Sequence, residues 1–267
     1  DRLNNANTEC PTLSGHVITH LAWADDLVIL SLEPSSLQTQ VNIVFDYCNE
    51  WGLEVNISKT KFMVMNGKTP PNPNWRPCLD GMPIEMVTSY CYLGIMISSS
   101  GKFKQAIDSL YNKGLGAYFS LRNTIDRRYI DANALDRLFE ALVAPILSYG
   151  CQIWLPVQSI TTNLLSGYNH SSVINLNTIA KFPFERVLLR HLKYMIGINR
   201  KSCNATAYGE TGKYPMFIKC IGQCIKFFQR VMRMDSHHLV KSAMKEQANL
   251  NLSWFTNIQN IIRFFDS

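Results

Sequence analysis

The sequence predicts an α+β protein in which short strands come first and helices follow. Up to about residue 97 the apolar residues fall in short runs, at 16–23, 27–31, 62–65 and 90–97, bounded by turn-forming residues. From Phe103 onward they recur at spacings of three and four, the helical period. The chain has 267 residues, enough to bury a substantial core and to hold more than one subdomain. Its 46% hydrophobic content is not that of a disordered tail.

The first two runs flank Asp25 and Asp26, a pattern that predicts a hairpin with two carboxylates at its tip. Hard oxygen donors between stiff flanks suit Mg²⁺, the ion that phosphoryl transfer uses to neutralise developing charge. An Asp pair is equally at home in an ordinary turn, where it hydrogen-bonds its own backbone. Ser35-Ser36-Leu37-Gln38 reads as a capping box. The helix it opens runs to about Trp51, with Leu37, Val41, Val44, Cys48 and Trp51 on one face and Gly52 as its stop. A strand over 53–57, a polar corner from Asn56 to Lys61 and a strand over 62–65 follow. A further hairpin takes Asp80-Gly81 as its turn, with residues 90–97 as its later apolar strand.

The remainder reads as helices. Phe103, Ile107, Leu110, Tyr118 and Leu121 fit one amphipathic helix, and Leu135, Leu138, Phe139, Leu142 and Ile146 a second with Pro145 near its end. A Ser-, Thr- and Asn-rich stretch from residue 159 predicts a linker, and helices are expected from Phe184 and from Met216. No internal repeat is visible.

These residues resemble the reverse transcriptases of non-LTR (LINE-type) retrotransposons, in order and spacing over about residues 16–233. Trp23-Ala24-Asp25-Asp26-Leu27-Val28-Ile29-Leu30-Ser31 looks like that family's motif C, with Trp where Tyr or Phe is usual. Residues 47–61, from Tyr47-Cys48-Asn49 to Lys59-Thr60-Lys61, are similar to motif D and the helix before it, and Tyr92-Leu93-Gly94 resembles motif E, the primer grip. Residues 144–154 and 208–215 resemble segments beyond the palm. The resemblance implies a partial polymerase palm over 1–97, a helical thumb over 98–158, a linker over 159–180 and a basic helical C-terminal region over 181–267.

By the same resemblance Asp25 is a ligand of catalytic Mg²⁺, with Asp26 beside it positioning the second metal or bracing the turn. Lys59 falls where a cation protonates the leaving pyrophosphate as a general acid; Lys59 and Lys61 also read as a solvated corner. Tyr92, Leu93 and Gly94 would hold the primer terminus; a buried strand weakened by glycine is the other reading. The family's other palm Asp, on an earlier strand, has no counterpart among residues 1–15, where Asp1 and Glu9 lie in an Asn-rich loop-like stretch. The 267-residue chain by itself is therefore expected to be inactive, while a full-length parent would copy an RNA template from a DNA primer with dNTPs and Mg²⁺.

Charge points the same way. The chain carries a net +6, but residues 1–60 hold eight acidic and two basic side chains, whereas residues 181–233 hold two acidic and eleven basic. Arg186, Arg190, Lys193, Arg200, Lys201, Lys219, Lys226, Arg230 and Arg233 are the candidate phosphate contacts, interleaved with aromatic residues that could stack on unpaired bases. Phe184, Phe227 and Phe228 read rather as helix core. A non-catalytic nucleic-acid-binding relic acting through these helices is thus the alternative to a polymerase fragment.

No apolar run approaches the roughly 18–20 residues of a membrane span, and the N-terminus has no signal-peptide pattern. The eight scattered cysteines read as reduced thiols, so an intracellular protein of nucleus or cytoplasm is expected, not a secreted one. Cys220-x3-Cys224 followed by His237 mimics part of a zinc finger, but the adjacent His238 and the helical run over 221–232 argue against structural zinc.

Overall fold

A computed structural model describes residues 2–65, 74–126, 128–158 and 176–266. The chain divides at Phe103 and Lys104 into an α+β unit and a helical unit.

In the first unit the described strands pair two by two. Strands β1 (Thr12–Leu13) and β2 (His16–Val17) form one antiparallel hairpin, and β3 (His20–Trp23) and β4 (Asp26–Ile29) another. After helix α1 (Pro34–Glu50), β5 (Lys61–Phe62) pairs in parallel with β8 (Glu85–Met86), while β6 (Cys78–Leu79) and β7 (Met82–Pro83) close around Asp80-Gly81 as expected. The run 90–97, expected as one strand, is a hairpin of β9 (Ser89–Tyr92) and β10 (Ile95–Ser98). Gly94, at φ +81°, forms its turn with Leu93, at φ +47°.

Helix α1 corrects a second expectation. Pro34 opens it, since its missing N–H is one of the unpaired donors of a first turn, and Glu33 is the N-cap without a side-chain bond. Ser35 therefore lies inside the helix and no capping box forms. Gln38 instead accepts from the Cys78 N–H and donates to the Cys78 carbonyl, both at 2.8 Å, tying α1 to β6. The stop is as read: Gly52 sits at φ +65°, and the Leu53 N–H reaches the Cys48 carbonyl at 2.8 Å. The buried face is Leu37, Val41 and Phe45, against Phe62, Leu79 and Ile84, whereas Trp51 is 64% exposed. Residues 53–57 form no strand; Val55 and Ile57 pack on this core, Ile57 already in the turn of the polar corner.

The helical unit holds α2 (Lys104–Thr124), α3 (Ala132–Leu142), the short α4 (Ala144–Leu147), α5 (Cys151–Trp154) and α6 (Leu176–Ile179), then α7 (Pro183–Met195), α8 (Asn204–Thr211), α9 (Met216–Arg233), α10 (Leu239–Asn249) and α11 (Ser253–Asp266). Asp131 caps α3 by accepting the Ala134 N–H at 2.9 Å. The helix expected over 135–146 breaks at Val143, because Pro145 restarts it as the first turn of α4. Gly114 allows α2 to approach α4 so closely that a Cβ there would lie 2.2 Å from Leu147 Cδ2.

Elements from both sides of residues 159–175, the greater part of the expected linker and outside the described residues, pack together in this one unit. His191 of α7 stacks on Phe139 of α3 at 4.2 Å, and Trp154 of α5 meets Phe184 of α7 edge-on at 5.2 Å. Phe227 and Phe228 of α9 meet Trp254 and Phe255 of α11, as core-facing residues should. Among the described residues no helix is long and apolar enough to cross a membrane.

Candidate functional site

The carboxylate pair stands on the β3–β4 hairpin. Trp23 pairs with Asp26 at the end of the ladder, leaving Ala24 and Asp25 as a two-residue turn. Asp25 is thus in the turn itself and Asp26 is the first residue of β4, one residue off the tip. Both side chains are exposed, and among the described residues neither makes a hydrogen bond or ion pair within the protein. Around them Trp23, Leu21 and Leu27 are 68%, 37% and 42% exposed, an apolar collar for a charged tip. Behind the tip, Ile29 anchors the hairpin in the α1 core, and the Leu30 carbonyl accepts from the wholly buried Gln40 at 3.2 Å.

The turn is strained. Ala24 holds φ +53°, a region where a Cβ crowds the following carbonyl and which glycine enters freely. Ala24→Gly is expected to raise the stability of this unit by about 1 kcal/mol, read as a higher urea midpoint with an unchanged slope. An unchanged or lower midpoint would show that the tip stores no strain.

The other palm candidates gather elsewhere on the same unit. Asn56 folds the polar corner: its carbonyl accepts from the N–H groups of Lys59 (3.2 Å) and Thr60 (2.9 Å), and its Oδ1 accepts from Ser58 Oγ at 2.7 Å. Lys59 is exposed at this corner, and the Tyr90 hydroxyl donates to its carbonyl at 3.2 Å. That bond joins the Lys59 corner to β9, the strand that ends in Tyr92 and leads into the Leu93-Gly94 turn. Lys61 is paired with Glu85 at 2.6 Å. No hydrogen bond or ion pair among the described residues joins Asp25 or Asp26 to Lys59, and no third His, Cys, Asp or Glu joins them in a metal-holding group.

In the helical unit the basic side chains separate into different environments. Arg186, Lys201, Lys226 and Arg233 are exposed. Lys219 is paired with Glu140, and Arg230 lies over Phe227 at 5.6 Å. Lys193 leaves the set of phosphate contacts: it is 6% exposed, and its ammonium donates to the Arg200 carbonyl (3.1 Å), the Ser202 carbonyl (2.6 Å) and Asn204 Oδ1 (2.7 Å). It thus ties the α7–α8 connection to α7. Cys220 and Cys224 lie on the buried face of α9 against Cys151, the Cys224 thiol donating to the Cys151 carbonyl at 3.6 Å, while His237 is exposed.

Three residues absent from the sequence-derived set, Phe119, Arg122 and Tyr194, stand beside Arg190, which belongs to it. Arg122 of α2 lies over the Tyr194 ring of α7 at 4.7 Å, and Arg190 of α7 lies over the Phe119 ring of α2 at 5.9 Å. The only sequence signal is an aromatic residue and an arginine one turn apart on each helix. What matters is that the two pairs cross, and that is a tertiary fact.

Residues 3–97, which contain the carboxylate turn, the Lys59 corner and the Leu93-Gly94 hairpin, match the family model of the reverse transcriptases (RNA-dependent DNA polymerases). Over 142 residues the chain is 27% identical to an uncharacterized transposon-derived protein of Caenorhabditis elegans, an alignment covering 53% of this chain and 50% of that one. The chain so spans about half the length of the curated relative it matches. No solved structure matches it. Residues 3–97 are a reverse transcriptase-like segment, and they belong to a chain similar to a transposon-derived protein.

Proposed function

We propose that residues 3–97 are the motif C to motif E part of a reverse transcriptase palm from a non-LTR retrotransposon, and that the helical unit is its thumb and a basic extension that grips nucleic acid. The observation that carries this reading is the exposed Asp25-Asp26 pair on a hairpin turn within a segment that matches reverse transcriptases. Two carboxylates are the right kind of donor for Mg²⁺, which takes hard oxygens and commonly only one or two from protein, with substrate phosphates and water completing its shell. Bound there, the ion would neutralise charge developing on the phosphates of the incoming nucleotide.

The chain's own residues have separate tasks in this scheme. Asp25 and Asp26 hold the ion at a tip kept clear of internal salt bridges. Lys59, at an exposed corner, delivers a proton to the departing pyrophosphate. The Leu93-Gly94 turn lets primer backbone approach closely, with Tyr92 offering a ring face. Two-metal transfer needs a further carboxylate beside Asp25 and Asp26, which in this reading comes from the full-length parent, and the chain by itself is proposed to be inactive.

Two measurements on the intact chain test the reading. Mn²⁺ binding followed by electron paramagnetic resonance is expected to weaken at least tenfold in Asp25→Asn; equal binding by the variant would remove the metal role. Primer extension on an RNA template with dNTPs is expected to give no product, and incorporation that Asp25→Asn abolishes would overturn the inactivity. The alternative, a nucleic-acid-binding relic, draws on the eleven basic against two acidic residues at 181–233. It requires RNA binding with a steep salt dependence that survives in Asp25→Asn.

A further inference from the structure

We propose that the crossed arginine–aromatic pairs of α2 and α7 form a binding site for single-stranded nucleic acid, taking a phosphodiester between Arg122 and Arg190 and an unpaired base beside Tyr194. The inference deepens the nucleic-acid reading of the helical unit and rests on it, but needs nothing from the carboxylate turn.

The geometry is particular. Arg122, Asn123, Asp126, Arg128 and Tyr194 line an open cleft of about 540 Å³, within the range of small-ligand sites. Arg122 lies over Tyr194 and Arg190 over Phe119, so each guanidinium is placed by a ring rather than by a carboxylate. This distinction decides what the arginines can do. A carboxylate would cancel the charge and occupy the N–H fork, whereas a ring face orients the plane and leaves charge and in-plane donors for an incoming anion. Arg128 shows the contrast in the same cleft, since its guanidinium donates to Asp126 Oδ2 at 2.8 and 2.6 Å. That pair forms a neutral wall.

Arg122 and Arg190 sit on the facing rings of the two crossed pairs. Burial raises the Tyr118 phenol above its ordinary pKa, and the charges that oppose the rise are Arg122, Arg190 and Arg200. Arg122 and Arg190, each seated on a ring of the facing helix and neither in an ion pair among the described residues, form a positive focus rather than a uniformly solvated helix face. Phe119, 39% exposed, and half-buried Tyr194 supply ring surface beside it. Planar cations with aromatic faces are what a single strand offers partners for, through its phosphates and its unstacked bases; a duplex hides those base faces.

The test is fluorescence anisotropy of a labelled 12-nucleotide oligouridine with the intact chain, alongside the matching RNA duplex and the equivalent single-stranded DNA. Arg122→Gln with Arg190→Gln is expected to weaken the single strand at least tenfold and to reduce the log–log salt slope by about 1.4, the value for two lost contacts on a single strand. The charge-matched control, Arg137→Gln with Lys245→Gln, two exposed cations of the helical unit outside the candidate phosphate contacts, should weaken it about threefold or less. Tyr194→Ala should weaken the single strand without altering the salt slope. RNA and DNA single strands affected alike confirm a site for phosphate and base, and an effect confined to RNA confirms it with a 2′-hydroxyl contact added. Equal losses in both double variants would overturn this site while leaving nucleic-acid binding by the unit intact, as would a duplex that competes as well as the single strand. No binding by the wild-type chain would overturn both.

Discussion

Glu185→Ala is expected to destabilise the helical unit by about 3–5 kcal/mol, the range seen when a buried charged hydrogen-bonding centre loses one member. Glu185 is wholly buried in the first turn of α7, yet its partners all come from other elements. Oε1 accepts the Met216 N–H at 3.1 Å and Oε2 the Phe217 N–H at 3.0 Å, two of the unpaired donors at the start of α9. The Tyr208 hydroxyl of α8 donates to Oε1 as well. One carboxylate therefore fastens three helices, and alanine would strand two amides and a phenol away from water. Glu185→Gln keeps one oxygen acceptor but turns an NH₂ toward a donor, and should lose roughly half as much. Guanidinium unfolding followed by near-ultraviolet circular dichroism measures both, and hydrogen exchange over residues 216–219 should accelerate in proportion. A loss below 1 kcal/mol for Glu185→Ala would mean that water replaces the carboxylate at no penalty.

What could be read from residues alone was local, and what could not was pairing. Gly52 and Asp80-Gly81 were legible because a left-handed turn demands those residues wherever the rest of the chain lies. Helices α2, α7 and α9 were legible from their periodicity. The capping box failed because Pro34 starts α1 one residue before Ser35, and a proline at the first position outweighs a hydroxyl placed one step late. Residues 53–57 look like a strand and form none, because strand pairing requires a neighbour that sequence does not specify. Leu93 hid the β9–β10 turn, since leucine at positive φ is rare enough that Gly94 read as a weak point in a single strand. The same division holds for function. Asp25 and Asp26 are adjacent in sequence and therefore visible, and the structure moved only their register on the hairpin. Arg122 and Tyr194 are brought together by the packing of α2 on α7, and Lys193 was miscounted because burial decides whether a cation faces phosphate or the chain's own carbonyls.

Acid should weaken the same helical unit through His191, and the sign of the effect separates it from Glu185. His191 is 1% exposed, stacked on Phe139 and edge-on to Tyr118, and among the described residues neither ring nitrogen has a partner. Burial lowers its pKa from 6.5 to about 4, with Asp136 opposing the fall and Lys213, itself 2.5 Å from Asp136, adding to it. Between pH 6.5 and 4 the unfolded chain then binds the proton that the folded chain refuses, so stability declines as pH falls through this window, by about 3 kcal/mol in all. Glu185 works in the other direction. Burial raises its pKa, so the folded state holds the extra proton and the contribution is lost as pH rises above the ordinary Glu value. The two slopes partly cancel in the wild type, and substitution exposes each. His191→Phe, which keeps a ring on Phe139 and removes the titration, should be the more acid-resistant protein, with the wild-type deficit relative to it growing by about 3 kcal/mol from pH 7 to pH 4. Unfolding free energies of both chains measured across that range would decide it. A constant difference between them would show that the imidazole is charged or water-bonded in the folded state, and that α7 can accept a cation at its centre.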